Sequence, residues 1–223
     1  MRVALYYAPS THDPLWQLGS QWLGRDCDTG AKLEQPDVPG LFDLTVDPRM
    51  YGFHATLKPP MNLAQGVTWD RVVTAADDIA ARLKPFPLPP LEVADLHGFI
   101  AIRDAERSDE LQALADICVA EMDHLRAPPS EAEIAKRKKA SLSARQLEML
   151  ERWGYPYVFD TWFFHMTLSK RLSPEQHAVV MPRAQAYFAE TLQAPRMVRD
   201  ICLFTQAEPG GDFLLAERIP FRG

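Results

Sequence analysis

Hydrophobic and polar positions along the chain alternate between two periods, one suited to strands and one to helices. Residues 2 to 8 are an unbroken β-branched, aromatic and apolar run and predict a buried strand. Asp13-Pro14 reads as an N-cap followed by a first-turn proline, opening a helix over 14–23 that ends at Gly24. Residues 25 to 50 are rich in turn formers and predict loop with one short element. A strand is expected over 52–58, stopped by Pro59-Pro60. Thr68 caps a helix reaching about Leu83, with Val72, Ala76, Ile79, Ala80 and Leu83 at helical spacing. The prolines between 85 and 90 make a stiff extended connection that cannot be helix. Two strands, 91–95 and 99–103, flank His97-Gly98.

The second half repeats this alternation. Ser108 caps a helix carrying Leu111, Leu114, Cys118, Met122 and Leu125 on one face. Capping boxes at Ser130/Glu133 and Ser143/Gln146 predict two short helices between about 131 and 152. A strand is expected over 163–169. Ser173-Pro174-Glu175-Gln176 starts a helix reaching about Leu192, and strands over 198–205 and 213–219 are joined by Pro209-Gly210-Gly211.

One segment occurs twice. Phe53-His54-Ala55-Thr56-Leu57 returns as Phe164-His165-Met166-Thr167-Leu168, 111 residues later. Each copy opens a strand, a break, an amphipathic helix and two further strands, with proline between helix and strands. The period is half the chain, which implies duplication rather than a solenoid. The expected architecture is α+β: two pseudo-symmetric lobes, each with an antiparallel sheet and flanking helices, around a central cleft. We read residues 1–223 as one two-lobed domain.

Strand alternation gives the motif chemical content, because successive side chains point to opposite faces. Phe53, Ala55 and Leu57 face a core, while His54, Thr56 and Lys58 share the other face. Phe164, Met166 and Leu168 likewise leave His165, Thr167 and Ser169 together. If the lobes pair about a pseudo-twofold axis, the two sets face each other across a gap. Two imidazoles so placed suit phosphodiester displacement, which needs a base for the attacking oxygen and an acid for the leaving oxygen. The ordinary imidazole pKa of about 6.5 allows one neutral and one protonated ring near neutrality. The threonine hydroxyls are suited to holding non-bridging phosphate oxygens. Lys58 is a candidate phosphate contact or a solvated strand-end lysine. Of Tyr6 and Tyr7, which alternate on the first strand, one either faces the cleft and stacks on substrate or packs in the core; we take Tyr6 as the candidate contact. His12, His97 and His177, which lack a threonine partner, read as surface or loop residues.

These residues resemble the two-histidine phosphoesterase superfamily, which has paired His-x-Thr/Ser-hydrophobic motifs on a duplicated two-lobed fold and includes RNA ligase-like 2′,3′-cyclic phosphodiesterases. The block Gly52-Phe53-His54-Ala55-Thr56-Leu57-Lys58-Pro59-Pro60 is most similar to a branch encoded beside phosphonate-utilisation enzymes. The resemblance implies catalytic roles for His54 and His165, phosphate contacts for Thr56 and Thr167, and no metal or other cofactor. Relative to the simplest members, about 126–156 resembles an insertion.

Composition narrows the ligand. Twenty-four Lys and Arg against thirty Asp and Glu give a formal net charge of −6. Neutralising a long polyanion requires a basic surplus, so a small phosphorylated substrate, nucleotide or sugar phosphate, is expected rather than long nucleic acid. Lys136-Arg137-Lys138-Lys139 is either a solvated helix face or a guide for an anion. Cys27, Cys118 and Cys202 form no C-x-x-C pair and read as buried free thiols. No stretch of about 18 apolar residues occurs, so no membrane span is expected and we read the protein as cytoplasmic. Two functions fit: a metal-independent phosphoesterase, or a non-catalytic module that binds a nucleotide or RNA end. At the level of sequence the duplication leaves the acid and the base unassigned.

Overall fold

The computed structural model describes residues 1–138 and 141–223. The α+β class is the architecture found. Its strands are β1 (Arg2–Tyr7), β2 (Ala55–Asn62), β3 (Phe86–Leu88), β4 (Leu91–Asp95), β5 (Ile100–Asp104), β6 (His165–Thr167), β7 (Arg196–Val198), β8 (Asp200–Gln206) and β9 (Leu214–Pro220). Its α-helices are α1 (Pro14–Leu23), α2 (Leu41–Leu44), α3 (Val46–Tyr51), α4 (Trp69–Ala80), α5 (Asp109–Met122), α6 (Glu131–Lys138), α7 (Ala144–Trp153) and α8 (Pro174–Phe188).

Seven strands form one antiparallel sheet in the order β4-β5-β6-β2-β1-β8-β9, and β3 pairs with β7 in a small second sheet. The two motif strands are neighbours, joined through Ala55 opposite Met166. The hairpin that follows each motif in sequence lies on the side of the other motif. Thus β4–β5 joins β6, while β8–β9 joins β1, the neighbour of β2. The two halves of the repeat are therefore interleaved in the sheet.

Helix starts follow their caps. Asp13 accepts from the Leu15 amide at 2.8 Å ahead of Pro14, and Ser143/Gln146 and Ser173/Gln176 form complete capping boxes. Helices α4, α5 and α8 pack on one face of the sheet and close the main core, which includes Leu5, Phe53, Ala55, Leu57, Ile102, Phe164, Met166 and Leu168. A second apolar cluster, Ala4, Tyr6, Trp16, Cys27, Cys202, Phe204 and Phe213 among them, covers part of the opposite face.

Several elements differ from the sequence reading. The strand begun at the first motif does not stop at the prolines but runs through them to Asn62. Two register shifts against β1 absorb the extra residues there, and β6 is too short to pair with this part of β2. The missing proline amides thus fall at a bulged, free edge, where they are tolerated. The segment 25–50 holds two short helices rather than one element, and α8 ends at Phe188, not near 192. The proline-rich connection contains β3, and 198–205 divides into the end of β7 and β8. All three cysteines are buried free thiols.

Candidate functional site

Ala55 and Met166, directly opposite in the β2–β6 pair, are both fully buried in the helix-side core. One step either way, His54 lies opposite Thr167 and Thr56 opposite His165, all four half-buried on the other face. Opposite residues in an antiparallel pair have Cβ atoms about 5 Å apart, and diagonal residues about 7–8 Å. The imidazoles occupy the diagonal. The expected facing of two lobes across a gap is therefore corrected: the motifs lie side by side on one continuous sheet.

The two rings are fixed alike. His54 Nδ1 lies 2.9 Å from the Gly52 carbonyl and His165 Nδ1 lies 3.1 Å from the Phe163 carbonyl, each acceptor two residues upstream. A neutral ring facing a carbonyl must carry its proton there, so both Nε2 atoms keep their lone pairs. His54 Nε2 lies 3.2 Å from Thr56 Oγ1 and accepts from that hydroxyl. Gly52 is at φ 84°, and a Cβ there would fall 2.5 Å from the Cys27 Cβ, so only glycine presents this carbonyl to the ring.

Their surroundings differ. His54 is stacked on Tyr6 with ring centroids 3.6 Å apart at 18°. Burial pushes it down to about 3, and the nearby His165 adds to this, against the Gly52 carbonyl. His165 stacks on the exposed ring of Phe163 at 4.7 Å and meets Phe99 at 5.9 Å. Burial lowers it too, against the Phe163 carbonyl.

Two candidate contacts are displaced from the site. Tyr6 does lie on the motif face, opposite Thr56, but it is fully buried among His54, Phe204 and Phe213. It has no surface for a substrate and instead supports the His54 ring. Lys58 was expected beside His54 by alternation. The bulge inserts Leu57 between the pairs Tyr6–Thr56 and Leu5–Lys58, which turns Lys58 to the helix side. There it is buried, donating to the Val119 carbonyl at 3.0 Å and to Asp123 at 3.3 Å. Burial lowers its pKa to about 8, outweighing the Asp123 charge.

A cleft of about 360 Å³ opens on the motif face, lined by Thr56 and His165 but not by His54 or Thr167, with Phe99, Tyr155, Trp162 and Phe163 among its walls. Trp162 is anchored by Nε1 donating to the Thr56 carbonyl at 2.8 Å. Tyr155 follows α7, so the segment read as an insertion supplies part of the wall. The signal for it was Trp153-Gly154-Tyr155-Pro156-Tyr157, an aromatic run just before the second motif. Arg137 of the basic run lies over the Tyr155 ring at 4.5 Å, and Lys138 lies 3.7 Å from Glu151. The side chain of Lys136 and the whole of Lys139 lie outside the described residues. Of the other histidines, His97 lines the cleft. His177 pairs with Asp95 at 2.9 Å. Among the described residues no three His, Cys, Asp or Glu side chains come together as a metal-ligating group.

Comparison with known proteins places this geometry in context. Residues 56–214 match the family model described as protein of unknown function (DUF1045). A relative described as ribose 1,5-bisphosphate phosphokinase PhnN, from Janthinobacterium sp. (strain Marseille), is 38% identical over 231 residues, covering 100% of this chain and 51% of its own length. A second of the same description, from Laribacter hongkongensis (strain HLHK9), is 34% identical over 221 residues, covering 98% and 52%. The chain spans about half the length of these curated relatives. A solved structure described as a phosphoesterase aligns over 100% of this chain and 98% of its own, at 12% identity and a TM-score of 0.41, a likeness too slight to bear on activity.

Proposed function

The chain belongs to the DUF1045 family, and for this member we propose a phosphoesterase that opens a cyclic phosphate or cleaves a small phosphodiester by two-histidine acid–base catalysis. The observation that carries this reading is the matched pair of imidazoles, each held through Nδ1 by the carbonyl two residues upstream, each with a threonine alongside, on one face of the sheet. A pure binder has no need for two rings held in one tautomer.

The chemistry divides between the rings by their surroundings. His54, held more firmly neutral, is the base: its Nε2 takes a proton from water as the water oxygen attacks phosphorus. His165, at the more open ring position, is the acid: in its imidazolium form, Nε2 gives a proton to the leaving oxygen as the P–O bond breaks. The product is a phosphomonoester and a free hydroxyl, and solvent resets the two protons. An anionic phosphate between the rings favours the protonated form of His165, countering the effect of burial. On substrate binding the Thr56 hydroxyl turns from His54 Nε2 to the phosphate, which frees that lone pair for water, and with Thr167, on the other diagonal, it holds the non-bridging oxygens and keeps attack in line.

The relatives' names concern a ribose bisphosphate, and what transfers from them is the ligand class, a small sugar phosphate. The sequence contains no G-x-x-x-x-G-K-[ST] loop, so that triphosphate cradle is absent from this length of chain. Cyclic nucleotides and cyclic sugar phosphates, incubated with the protein in excess chelator, test the reading. Turnover is expected, reduced at least about 100-fold by His54→Ala or His165→Ala. Tight binding across the panel without turnover would identify a binding module instead.

A further inference from the structure

The turn of Lys58 into the core leaves the motif strands without a cation, although a phosphate site is expected to hold one. Arg171 lines the cleft but donates through Nη1 to the His97 carbonyl, and the sheet register supplies another arginine, beside the cleft lining. Arg103 on β5 is directly opposite His165. Its neighbour Ile102 pairs with Met166 in the helix-side core, so Arg103 shares the face of His165. A single cross-strand row thus runs Glu92, Arg103, His165, Thr56, Tyr6. Arg103 is adjacent to the proposed acid and one strand further from Thr56.

The state of this arginine suits a waiting anion ligand. Its side chain is 41% exposed. Nε donates to the Asp104 carbonyl at 2.9 Å, and Glu92 approaches only to 3.7 Å, beyond hydrogen-bond distance. Among the described residues no hydrogen bond engages its two terminal amino groups. A guanidinium with two free parallel donors matches two phosphate oxygens. Glu92, exposed and loosely paired, balances the charge when no anion is bound.

We propose that Arg103 is the phosphate-binding cation of this site and a determinant of its specificity, gripping non-bridging oxygens beside His165 and so requiring an anionic phosphoryl group. This rests on the reading of the site given above. In the bound state the guanidinium swings from Glu92 to the phosphate while the backbone stays in register. A neutral ester lacking those oxygens is not held.

Isothermal titration with inorganic phosphate tests it apart from turnover. The expected result is that the wild-type protein binds phosphate and that Arg103→Gln weakens binding at least about tenfold, with an unchanged unfolding midpoint. Arg103→Lys, which keeps the charge but loses the fork, is expected to fall between them. Wild-type binding with an equal affinity in Arg103→Gln would overturn the assignment of Arg103 and leave the two-histidine site standing. Failure of the wild-type protein to bind phosphate at millimolar concentration would overturn both.

Discussion

The burial of His54 carries a cost in stability that can be measured without a substrate. In the folded protein this ring is pushed from 6.5 down to about 3. Above pH 6.5 it is neutral in both folded and unfolded chains and contributes no pH dependence. Between 6.5 and 3 the unfolded chain takes up a proton that the folded protein refuses, so stability is lost as pH falls through this window. At about pH 5 the loss is 1.5 pH units at about 1.4 kcal/mol each, or about 2 kcal/mol, and any folded-state value below about 4 gives nearly the same figure. His54→Gln removes the titration while keeping an amide near the ring position. Urea unfolding of both proteins at about pH 8 and pH 5 therefore reads the difference directly. The wild type is expected to lose about 2 kcal/mol more than the variant on acidification, while shared contributions from other groups cancel. An equal loss in both proteins would refute the claim that this imidazole is held neutral by its surroundings.

Four further outcomes follow from the same structure. The pH profile of kcat/KM is expected to be a bell lying on the acid side of 6.5, since burial lowers both rings; limbs on either side of pH 7 would contradict this. Tyr6→Leu removes the stacked support of His54 and is expected to lower kcat more than it raises KM in steady-state assays. Gly19→Ala should destabilise by about 1–3 kcal/mol in chemical unfolding, despite alanine's better helix propensity, because its Cβ would fall 2.4 Å from the Phe53 ring. Asp123→Ala leaves Lys58 buried with a lost partner and should cost about 3 kcal/mol, whereas Lys58→Met should leave KM unchanged.

The placement of the motif residues was legible from the repeat because period-two alternation survives wherever a strand stays regular. It places His54, Thr56, His165 and Thr167 on one face without any coordinates. The same rule failed at Lys58, two residues on, because one extra residue in β2 reverses the sense of alternation and nothing in the local sequence marks the insertion. Tyr6 failed for a different reason. Its face was inferable, but its burial depends on Cys27 and Phe213, brought from opposite ends of the chain. Helix starts were readable because capping is local, as at Ser143 and Ser173. The pairing of three-residue strands β3 and β7 is set by contacts more than a hundred residues apart, which leave no periodic trace. Arg103 was equally hidden, since its relation to His165 exists only through sheet register.

The crossing of the two hairpins has a consequence for how the molecule is made. During synthesis the first motif strand emerges early, yet β8 and β9, which finish its side of the sheet, are translated some 140 residues later. Until then β1 presents an open edge, the kind of surface chaperones cover and nascent chains stick by. Severing the gene between the repeats would give two fragments that each lack strands held by the other, so neither is expected to persist alone. Made together in one cell, they carry complementary edges and a route to reassemble.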